Sequence, residues 1–492
     1  MRYISTRGKV EPIAFQDAVL MGLADDGGLV IPEEIPDLSP RLGELEGLAY
    51  NDLAFEIIRL YASDLPAADL RSLVARSYGP AFQPAVAPVV AVGGLHVLEL
   101  WHGPTMSFKD VALQFLGNLF EYVLAGRGGR LNILGATSGD TGSAAIRGVH
   151  GRKGIHIFVM HPRGRVSAIQ ERQMTTVLDA NVHNIAVEGS FDDCQRIMKD
   201  LAGDLDFKRR YSIGAVNSVN WARVLAQMVY YFHAALAVRR QTGAEKVRFC
   251  VPTGNFGDIL AGWYAMRMGA PISRLILATN ENDILSRFFS TGVYSAGQVR
   301  QTLAPAMDIQ VASNFERYLY YKVGRDPARL VGLMEQFAST RSLSIDSPPG
   351  LRRPASRMGM AQSSRGPAGV GTATGHAAVD DAFQAGAAST DQMLEAIRRT
   401  YRRDGYLIDP HTACGFAVAE PPAAGEQPLV CIATAHPAKF PEAIRQAIGE
   451  DLARHPKIDE LMGLPTRCQV LPDDKEAVRR FIIETVEPAP SR

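Results

Sequence analysis

Lys109 is the residue of this chain whose type and position most directly offer chemistry. It ends the run Leu-Glu-Leu-Trp-His-Gly-Pro-Thr-Met-Ser-Phe-Lys at residues 98–109, and Asp110 follows it. A lysine that is partly removed from water has a lowered pKa and can add to a carbonyl group as a neutral amine. The alternative is a solvated lysine in the first turn of an ordinary helix, and this run taken alone favours that alternative.

The residues around Lys109 predict a strand, a turn and a helix. The apolar run at 95–100 indicates a buried strand, and Gly103-Pro104 is a turn signal. Ser107 is the expected N-cap of the helix, with Asp110 in its first turn. Sites of open α/β sheets lie at such strand-to-helix junctions, so this is where a reactive lysine is expected.

A second segment, Gly-Ala-Thr-Ser-Gly-Asp-Thr-Gly at 135–142, directly follows the apolar run at 131–134. Its small residues let the backbone approach a ligand closely, and the helix expected from Ser143 onward offers its N–H groups to an anion. The alternative is a glycine-rich turn between a strand and a helix, and the segment alone does not decide between the two.

A third segment, Thr-Gly-Asn-Phe-Gly-Asp at 253–258, lies between a predicted strand at 247–251 and a predicted helix at 259–268. Successive backbone N–H groups at the positive end of a helix form a nest for phosphate. No Gly-Lys-Ser/Thr follows, which disfavours ATP, and the absence of Gly-x-Gly-x-x-Gly spacing disfavours a dinucleotide.

A polar cluster at 217–223 opens another predicted helix. Asn220 and Arg223 are three residues apart and share a face, and an amide with a guanidinium suits a phosphate or a carboxylate. The alternative is a capping cluster with a surface arginine, which the local sequence favours.

Two further polar turns contain histidines. In Thr-Ala-His-Pro-Ala-Lys-Phe at 434–440, the hydroxyl of Thr434 can bond a ring nitrogen, and His436 is either a base or, as we favour, a satisfied loop histidine. In Asp-Pro-His-Thr at 409–412, His411 lies near Cys414. A Cys–His nucleophilic pair is disfavoured there because no third group is identified.

Strands alternating with helices must position these segments. Apolar runs occur at 131–134, 155–160, 182–187, 247–251, 275–278 and 429–434, and amphipathic stretches lie between most of them, such as 167–178, 191–201 and 221–239. This alternation predicts a parallel, doubly wound α/β sheet in two lobes, which binds ligands beyond the carboxyl ends of its strands. Residues 1–80 are instead expected to be mostly helical.

Composition limits the classes of protein to consider. The 492 residues contain 52 Lys+Arg and 52 Asp+Glu, so a net charge of zero indicates neither a nucleic acid nor a membrane as partner. The first residues have no apolar core of a signal peptide, and no segment has the length of a membrane span. Five scattered cysteines lack the spacing of a metal site, so we expect no metal and a cytoplasmic location.

Together and in this order, the segments resemble the threonine synthases, fold type II enzymes that depend on pyridoxal 5'-phosphate (PLP). Within that family, the sequence resembles the microbial subgroup, which has a separate helical N-terminal domain. It rests on residues 3–8, 101–110, 135–142, 217–223, 254–258, 278–283, 409–414 and 434–440.

The resemblance implies a fold and a domain organisation. The fold is α/β and tryptophan synthase β-like, with parallel sheets in two lobes. We expect a helical N-terminal domain at 1–82, a PLP-binding catalytic domain at 90–450, and a C-terminal extension at 451–492 that packs on the catalytic domain. Oligomeric state stays open between monomer and homodimer.

Residues 345–378 are expected to be irregular. The stretch 347–377 is rich in Pro, Gly, Arg, Ser and Ala and has no helical or strand period, so it buries too little surface to offset its ordering entropy. It departs from the family and has the composition of an alternative reading frame of GC-rich coding sequence. Resequencing the coding DNA and finding no compensating insertions or deletions would remove that hypothesis.

The resemblance also implies residue roles. Lys109 would hold PLP as a Schiff base, Asp140 would lie beside the ring hydroxyl, where the wider fold often has Asn, and Thr434 would face the pyridine nitrogen. The cofactor phosphate would be bound by Gly254, Asn255, Phe256, Gly257 and Asp258. The weaker candidates for the substrate's carboxylate and phosphate are Thr137, Ser138, Asn220 and Arg223.

The implied activity is the conversion of O-phospho-L-homoserine and water to L-threonine and phosphate, the last step of threonine biosynthesis, by a carbon–oxygen lyase. PLP acts as the electron sink and Lys109 moves protons. The alternatives are a threonine or serine dehydratase or a phosphohomoserine lyase of the same fold, and a PLP-binding protein without turnover.

Overall fold

The computed structural model describes residues 1–214, 216, 218–345, 379–423 and 425–487. The stretch at 347–377, for which the sequence predicts irregular structure, and Asn217 lie outside the described residues.

The strands of the described residues are β1 (Tyr3–Ser5), β2 (Val30–Pro32), β3 (Val89–Val92), β4 (Leu95–Glu99), β5 (Leu131–Ala136), β6 (Ile155–Pro162), β7 (Val182–Glu188), β8 (Ile213–Gly214), β9 (Val247–Pro252), β10 (Ile272–Thr279), β11 (Val293–Ser295), β12 (Ser342–Ser344), β13 (Phe383–Ala387), β14 (Leu429–Ala433) and β15 (Gln469–Pro472).

The α-helices of the described residues are α1 (Phe15–Met21), α2 (Leu42–Leu45), α3 (Tyr50–Tyr61), α4 (Ala67–Ser77), α5 (Lys109–Arg127), α6 (Asp140–Val149), α7 (Ala168–Thr175), α8 (Phe191–Gly203), α9 (Leu205–Arg210), α10 (Trp221–Thr242), α11 (Gly257–Arg267), α12 (Ile284–Thr291), α13 (Phe315–Lys322), α14 (Pro327–Thr340), α15 (Thr390–Asp404), α16 (Pro410–Val418), α17 (Pro441–Ile448), α18 (Pro456–Met462) and α19 (Lys475–Val486). Short 3₁₀ turns lie at Ser39–Arg41, Pro305–Met307 and Pro437–Lys439.

Two larger sheets form the two lobes that the alternating pattern predicts. A six-stranded sheet has the order β13-β10-β9-β14-β4-β3, and a five-stranded sheet has the order β15-β7-β6-β5-β8. Every described pairing within them is parallel except that of β3 with β4. The predicted strands are therefore confirmed, and their carboxyl ends lie where the polar segments begin.

Two long helices lie inside the molecule. Most residues of α5 and α10 are buried, 14 of 19 and 16 of 22 respectively, and both helices are apolar over most of their circumference. A helix that is apolar on all sides is stable only when it is covered on all sides, which explains this central position. Gly128 and Gly243 end the two helices in the left-handed conformation, where glycine has no Cβ penalty.

The start of α5 differs from the sequence prediction. The helix begins at Lys109, its preceding residue is Phe108, and no side chain caps it there, so the prediction of Ser107 as N-cap is wrong. Ser107 instead forms an antiparallel bridge with Ala435. The carboxylate of Asp110 fastens the preceding loop by accepting hydrogen bonds from the N–H and hydroxyl of Thr105, each at 2.8 Å.

The N-terminal region is less uniformly helical than the sequence suggests. The antiparallel pair β1 and β2 accompanies α1–α4. Thr6 and Arg7 both donate to the carboxylate of Glu316, which lies in α13 of the main body. The region is therefore joined to the rest of the chain by polar contacts as well as by apolar packing.

The C-terminal part completes the second lobe. Strand β15 adds to the five-stranded sheet in parallel with β7, and Val478 and Ile482 of α19 are buried in the cluster that also contains Phe158 and Ile185. Among the described residues, no helix has both the length and the apolar character needed to cross a membrane.

Candidate active site

A cleft lies at the carboxyl ends of β4, β9 and β14, with α6 of the second lobe on its other side. It contains about 740 Å³ of space outside protein atoms, including its open mouth. Its lining residues are Phe108, Lys109, Asp140, Thr141, Ser218, Arg223, Gln227, Pro252, Thr253, Gly254, Asn255, Phe256, Gly257, Asp258, Ala306, Met307, His411, Thr434 and Ala435. Segments that are distant in sequence thus meet here, as expected for an open α/β fold.

Backbone contacts hold the Lys109 segment against the segment after β14. The N–H of Phe108 donates to the carbonyl of Thr434 at 2.8 Å, and the N–H of His436 donates to the carbonyl of Met106 at 3.0 Å. These bonds place Lys109 and Thr434 in the same cleft.

Lys109 is a buried lysine rather than a solvated one. Its side chain is 10% exposed, and its Nζ lies 3.5 Å from Oδ2 of Asp140. Burial lowers the pKa of Lys109, the carboxylate of Asp140 opposes that effect, and the charges of Lys439 and Arg223 add to it. A lysine in this setting reaches the neutral, nucleophilic form more easily than a solvated lysine.

Asp140 is ionised although it is buried. Burial would raise its pKa, but Lys439 and Lys109 together hold the pKa well below its usual range. Oδ1 of Asp140 accepts from Nε2 of Gln170 at 2.8 Å and pairs with Nζ of Lys439 at 2.8 Å. The carboxylate is therefore fixed in place from three sides.

The loop before α11 has the shape of an anion nest. Phe256 precedes the helix in the left-handed conformation, with φ of 65°. At Gly254 an added Cβ would lie 2.7 Å from the carbonyl oxygen of Ala306, so only glycine fits without a backbone shift. The first N–H groups of α11 have no partner within the helix and are available to an anion in the cleft.

Asp258 follows this loop, and its side chain is directed to α10. Its Oδ1 accepts from the hydroxyls of Tyr230 at 2.6 Å and Tyr231 at 2.9 Å, while Oδ2 is buried with no hydrogen-bond partner in the described ranges. Burial raises the pKa of Asp258 to about 6, although the two tyrosines oppose the shift. The side chain thus joins α11 to α10.

Arg223 is buried, which contradicts the surface arginine favoured by its local sequence. Its Nε and Nη1 have no hydrogen-bond partner among the residues that the structure describes, and it lines the cleft. Burial lowers the pKa of Arg223 to about 10, so the guanidinium is still charged near neutral pH. A buried charge without a partner is costly, and an anion in the cleft would remove that cost.

The other three substrate candidates do not line the cleft. Asn220 caps α10 through the N–H of Ala222 and donates to the carbonyl of Val19 at 2.9 Å. The hydroxyl of Thr137 accepts from the N–H groups of Gly139 and Gly142. Ser138 is exposed. The structure thus brings Arg223 to the site and gives Asn220 and Thr137 internal partners.

Thr434 places a buried hydroxyl at the site. Within the described part of the chain its Oγ1 has no hydrogen-bond partner, and its N–H donates to Oγ1 of Thr412 at 3.1 Å. Thr412 in turn donates its hydroxyl to Asp409. A chain of polar contacts therefore holds Thr434 with its hydroxyl available to a group in the cleft.

The histidines near the site have structural partners. His411 lines the cleft, its Nδ1 lies 2.8 Å from Asp409, and its Nε2 accepts from the N–H of Ala306 at 3.2 Å. Cys414 is buried, and burial raises the pKa of its thiol, which does not favour a nucleophile. His436 accepts from the N–H of Ala438, as expected for a satisfied loop histidine.

Sequence reasoning missed Lys439, Gln170 and Thr105. Lys439 belongs to the segment at 434–440, and the resemblance implies no role for it, although a lysine in an otherwise small and apolar turn after a buried strand is itself a signal. Gln170 lies in α7 of the second lobe, and no local pattern connects it with Asp140.

Comparisons with known proteins agree with this geometry. The family described as "Pyridoxal-phosphate dependent enzyme" matches residues 87–348. The family described as "Threonine synthase N terminus" matches residues 2–78, and "Threonine synthase, C-terminal" matches residues 412–482. The fold and the site thus define a PLP-dependent enzyme of fold type II.

Individual relatives identify the family within that class. The chain is 45% identical to a threonine synthase of Pseudomonas aeruginosa over 98% of each chain. It is 45% identical to a threonine synthase of Schizosaccharomyces pombe, over 91% of this chain and 89% of the relative. A crystal structure of PLP-bound threonine synthase from Brucella melitensis has a TM-score of 0.89 and 42% identity, covering 99% of this chain and 100% of that one.

The chain belongs to the threonine synthase family. The comparisons confirm the family, the fold class, PLP as the cofactor and the enzyme class that the sequence predicts. The domain bounds and the roles of individual residues stay predictions.

Proposed function

We propose that this chain converts O-phospho-L-homoserine and water into L-threonine and phosphate, with PLP bound at Lys109. The observation that carries the proposal is the pairing of a buried amine with two separate features for anions in one cleft. The Gly254–Gly257 loop suits one phosphate, and the guanidinium of Arg223, whose Nε and Nη1 have no partner among the described residues, suits another. PLP and O-phospho-L-homoserine each carry a phosphate, so the loop and the guanidinium together provide a site for each phosphate.

The residues present fit PLP. The loop at 254–257 would hold its phosphate, Lys109 would bind its aldehyde carbon, and Asp140 would lie beside its ring hydroxyl. The buried hydroxyl of Thr434, which has no partner among the residues described, would meet the ring nitrogen. A neutral hydroxyl at that point leaves the nitrogen unprotonated more readily than a carboxylate would.

The reaction then depends on proton transfers by this chain. When bound, PLP supplies an electron sink for the electron pair left when the α-proton of the substrate departs. The Lys109 amine, set free when the substrate amine takes its place, accepts that proton and returns protons to the substrate as phosphate leaves and water adds. Burial lowers the pKa of Lys109, so the free amine is available as a base.

Arg223 is the substrate residue we propose. Of the four weaker candidates it alone lines the cleft, and its guanidinium can bind phosphate through two parallel N–H groups. Asn220 and Thr137 already have partners within the protein, and Ser138 is exposed.

The test is an assay of the purified protein with O-phospho-L-homoserine in which the visible absorption, released phosphate and threonine are followed together. The proposal expects phosphate and threonine in equal amounts. Phosphate without threonine would indicate a lyase, and a keto acid formed from threonine or serine would indicate a dehydratase. A cofactor band with no product from any of these substrates would indicate a PLP-binding protein without turnover.

The proposal includes three domains and a location. The domains are a helical domain at 1–82, a catalytic domain at 90–450 and an extension at 451–492. The packing of β15 and α19 on the second lobe supports the extension. A cytoplasmic location is supported by five free cysteines, of which Cys468 is exposed.

A further inference from the structure

Lys439 is a fully buried lysine that the proposed reaction does not yet use. It lies in the 3₁₀ turn Pro437–Lys439 after β14 and is 0% exposed. Its Nζ donates to the carbonyl of Thr105 at 2.8 Å and pairs with Oδ1 of Asp140 at 2.8 Å. A buried ammonium is stable only with such partners, so its place is fixed by the loop before α5 and by α6.

Asp140 is shared unequally between two lysines. Its Oδ1 is 2.8 Å from Lys439, whereas its Oδ2 is 3.5 Å from Lys109. The first distance is that of a strong charge-assisted hydrogen bond, and the second is at the outer limit of one. The carboxylate of Asp140 therefore binds Lys439 strongly and Lys109 only weakly.

We propose that Lys439 is a positioning residue for the reaction at Lys109: it binds Oδ1 of Asp140, leaves only Oδ2 to face Lys109, and so keeps the Lys109 amine free to exchange its proton. This inference rests on the proposed function, because it takes Lys109 as the amine that binds PLP.

The charges around Lys109 support this role. Charges from three elements change the pKa of Lys109: Asp140 of α6, Lys439 of the turn after β14 and Arg223 of α10. The charge of Lys109 in turn lowers the pKa of Asp258 in α11. Burial lowers the pKa of Lys109, Asp140 raises it, and Lys439 and Arg223 lower it further.

Two other titratable groups lie close to this arrangement. Asp110 of α5 faces Lys439, whose charge opposes the rise in the pKa of Asp110 to about 6 that burial causes. His411 of α16 lines the same cleft, with its Nδ1 already bonded to Asp409.

Removing either member of the pair should therefore affect Lys109 in opposite directions. In Lys439→Met, Lys109 is the remaining cationic partner of Asp140 among the described residues, so the Lys109 amine holds its proton more strongly. In Asp140→Asn, Lys109 faces Lys439 with no carboxylate between them, so the amine loses its proton more easily. A merely structural role of the pair would weaken both variants without opposite shifts.

The experiment measures the rate at which the full chain, freed of its cofactor, takes up PLP as a function of pH, from the visible absorption. Uptake needs the neutral amine, so the midpoint of the curve reports on Lys109. We expect the midpoint to rise by about one pH unit in Lys439→Met and to fall by about one unit in Asp140→Asn. Lys153→Met, which changes an exposed lysine, is the matched control and should leave the midpoint unchanged.

The double variant separates positioning from simple repulsion, and Asp140→Asn, which keeps Lys439, gives an independent readout if Lys439→Met does not fold. If Lys439 acts through Asp140, replacing it shifts the midpoint more in the wild-type background than in the Asp140→Asn background. Three results would overturn the inference. They are equal midpoint shifts in both backgrounds, an unchanged midpoint in folded Lys439→Met, and a midpoint that rises in the Asp140→Asn single variant.

Failure of the inference can be told from failure of the proposed function. If Lys109→Ala still acquires the full visible band, the assignment of Lys109 is wrong. If Lys109→Ala loses the band while the midpoints of the Lys439 and Asp140 variants agree with that of the wild type, only the role of Lys439 is wrong.

Discussion

The guanidinium of Arg317 donates two hydrogen bonds to the carbonyl oxygen of Val30, from Nε at 3.0 Å and from Nη2 at 2.9 Å. Arg317 is fully buried in α13, and Val30 belongs to β2 of the N-terminal region. Its Nη1 also donates to Oδ1 of Asn314, whose Nδ2 donates to the carbonyl of Asn255 in the loop at 254–257. The N-terminal region and the cleft are thus connected through one buried cation.

Replacing Arg317 with methionine should destabilise the protein. The carbonyl of Val30 and the amide of Asn314 would lose their charged partner while buried, at a cost of about 3 kcal/mol in the free energy of unfolding. Urea unfolding of the variant and of Arg329→Met, an exposed arginine in α14, measures the difference. Equal unfolding midpoints for the two variants would contradict the structural role of Arg317.

Lys109→Ala should abolish covalent binding of PLP and with it turnover. Alanine has no amine to add to the aldehyde or to accept the α-proton. The visible band of the purified variant and its release of phosphate from O-phospho-L-homoserine measure the two losses. Lys153→Ala, at an exposed position, should keep both.

Arg223→Met should weaken the use of the phosphorylated substrate while the cofactor stays bound. Loss of a charged, bidentate contact predicts a fall in kcat/KM of about 100-fold, or about 3 kcal/mol. Steady-state kinetics with O-phospho-L-homoserine, together with the visible band, separate substrate binding from PLP binding. If the band disappears but kcat/KM per bound cofactor is retained, Arg223 serves the cofactor phosphate instead.

Gly254→Ala should lower the affinity for PLP. The added Cβ would lie 2.7 Å from the carbonyl oxygen of Ala306, so the loop must move away from the segment that faces it. We expect an increase in Kd of about tenfold, or about 1.4 kcal/mol. Titration with PLP measures it, and Gly332→Ala, where an added Cβ has no neighbour within 4 Å, is the control.

Asp258 should make the protein less stable as the pH rises. Burial raises its pKa in the folded state from 3.8 to about 6, so between these values the folded state holds a proton that the unfolded state has lost. Its contribution to stability is full below the unfolded pKa and is lost as the pH rises through about 6, a loss of about 3 kcal/mol. Urea unfolding at pH 4 and pH 7 should show a smaller loss in Asp258→Asn than in the wild type.

The sequence predicts the fold well because its strands are short apolar runs and its ligand-facing turns follow them directly. The runs at 131–134, 155–160 and 247–251 each lie within an observed strand. What it could not predict depends on long-range contacts. Arg223 resembles a surface residue in its local sequence, and it is buried because other elements pack around α10. Gln170 and Lys439 come from different lobes and both contact Asp140, and no local sequence pattern predicts these contacts.

The position of β15 has a consequence for how the chain is made. This strand and α19 cover an edge and a face of a lobe whose other strands lie between residues 131 and 214. During synthesis the edge of β7 stays unpaired after residue 214 has been made, until about 250 further residues have left the ribosome and β15 can pair with it. Because open strand edges and uncovered apolar surface favour association with other chains, the nascent protein is most prone to aggregate during that interval.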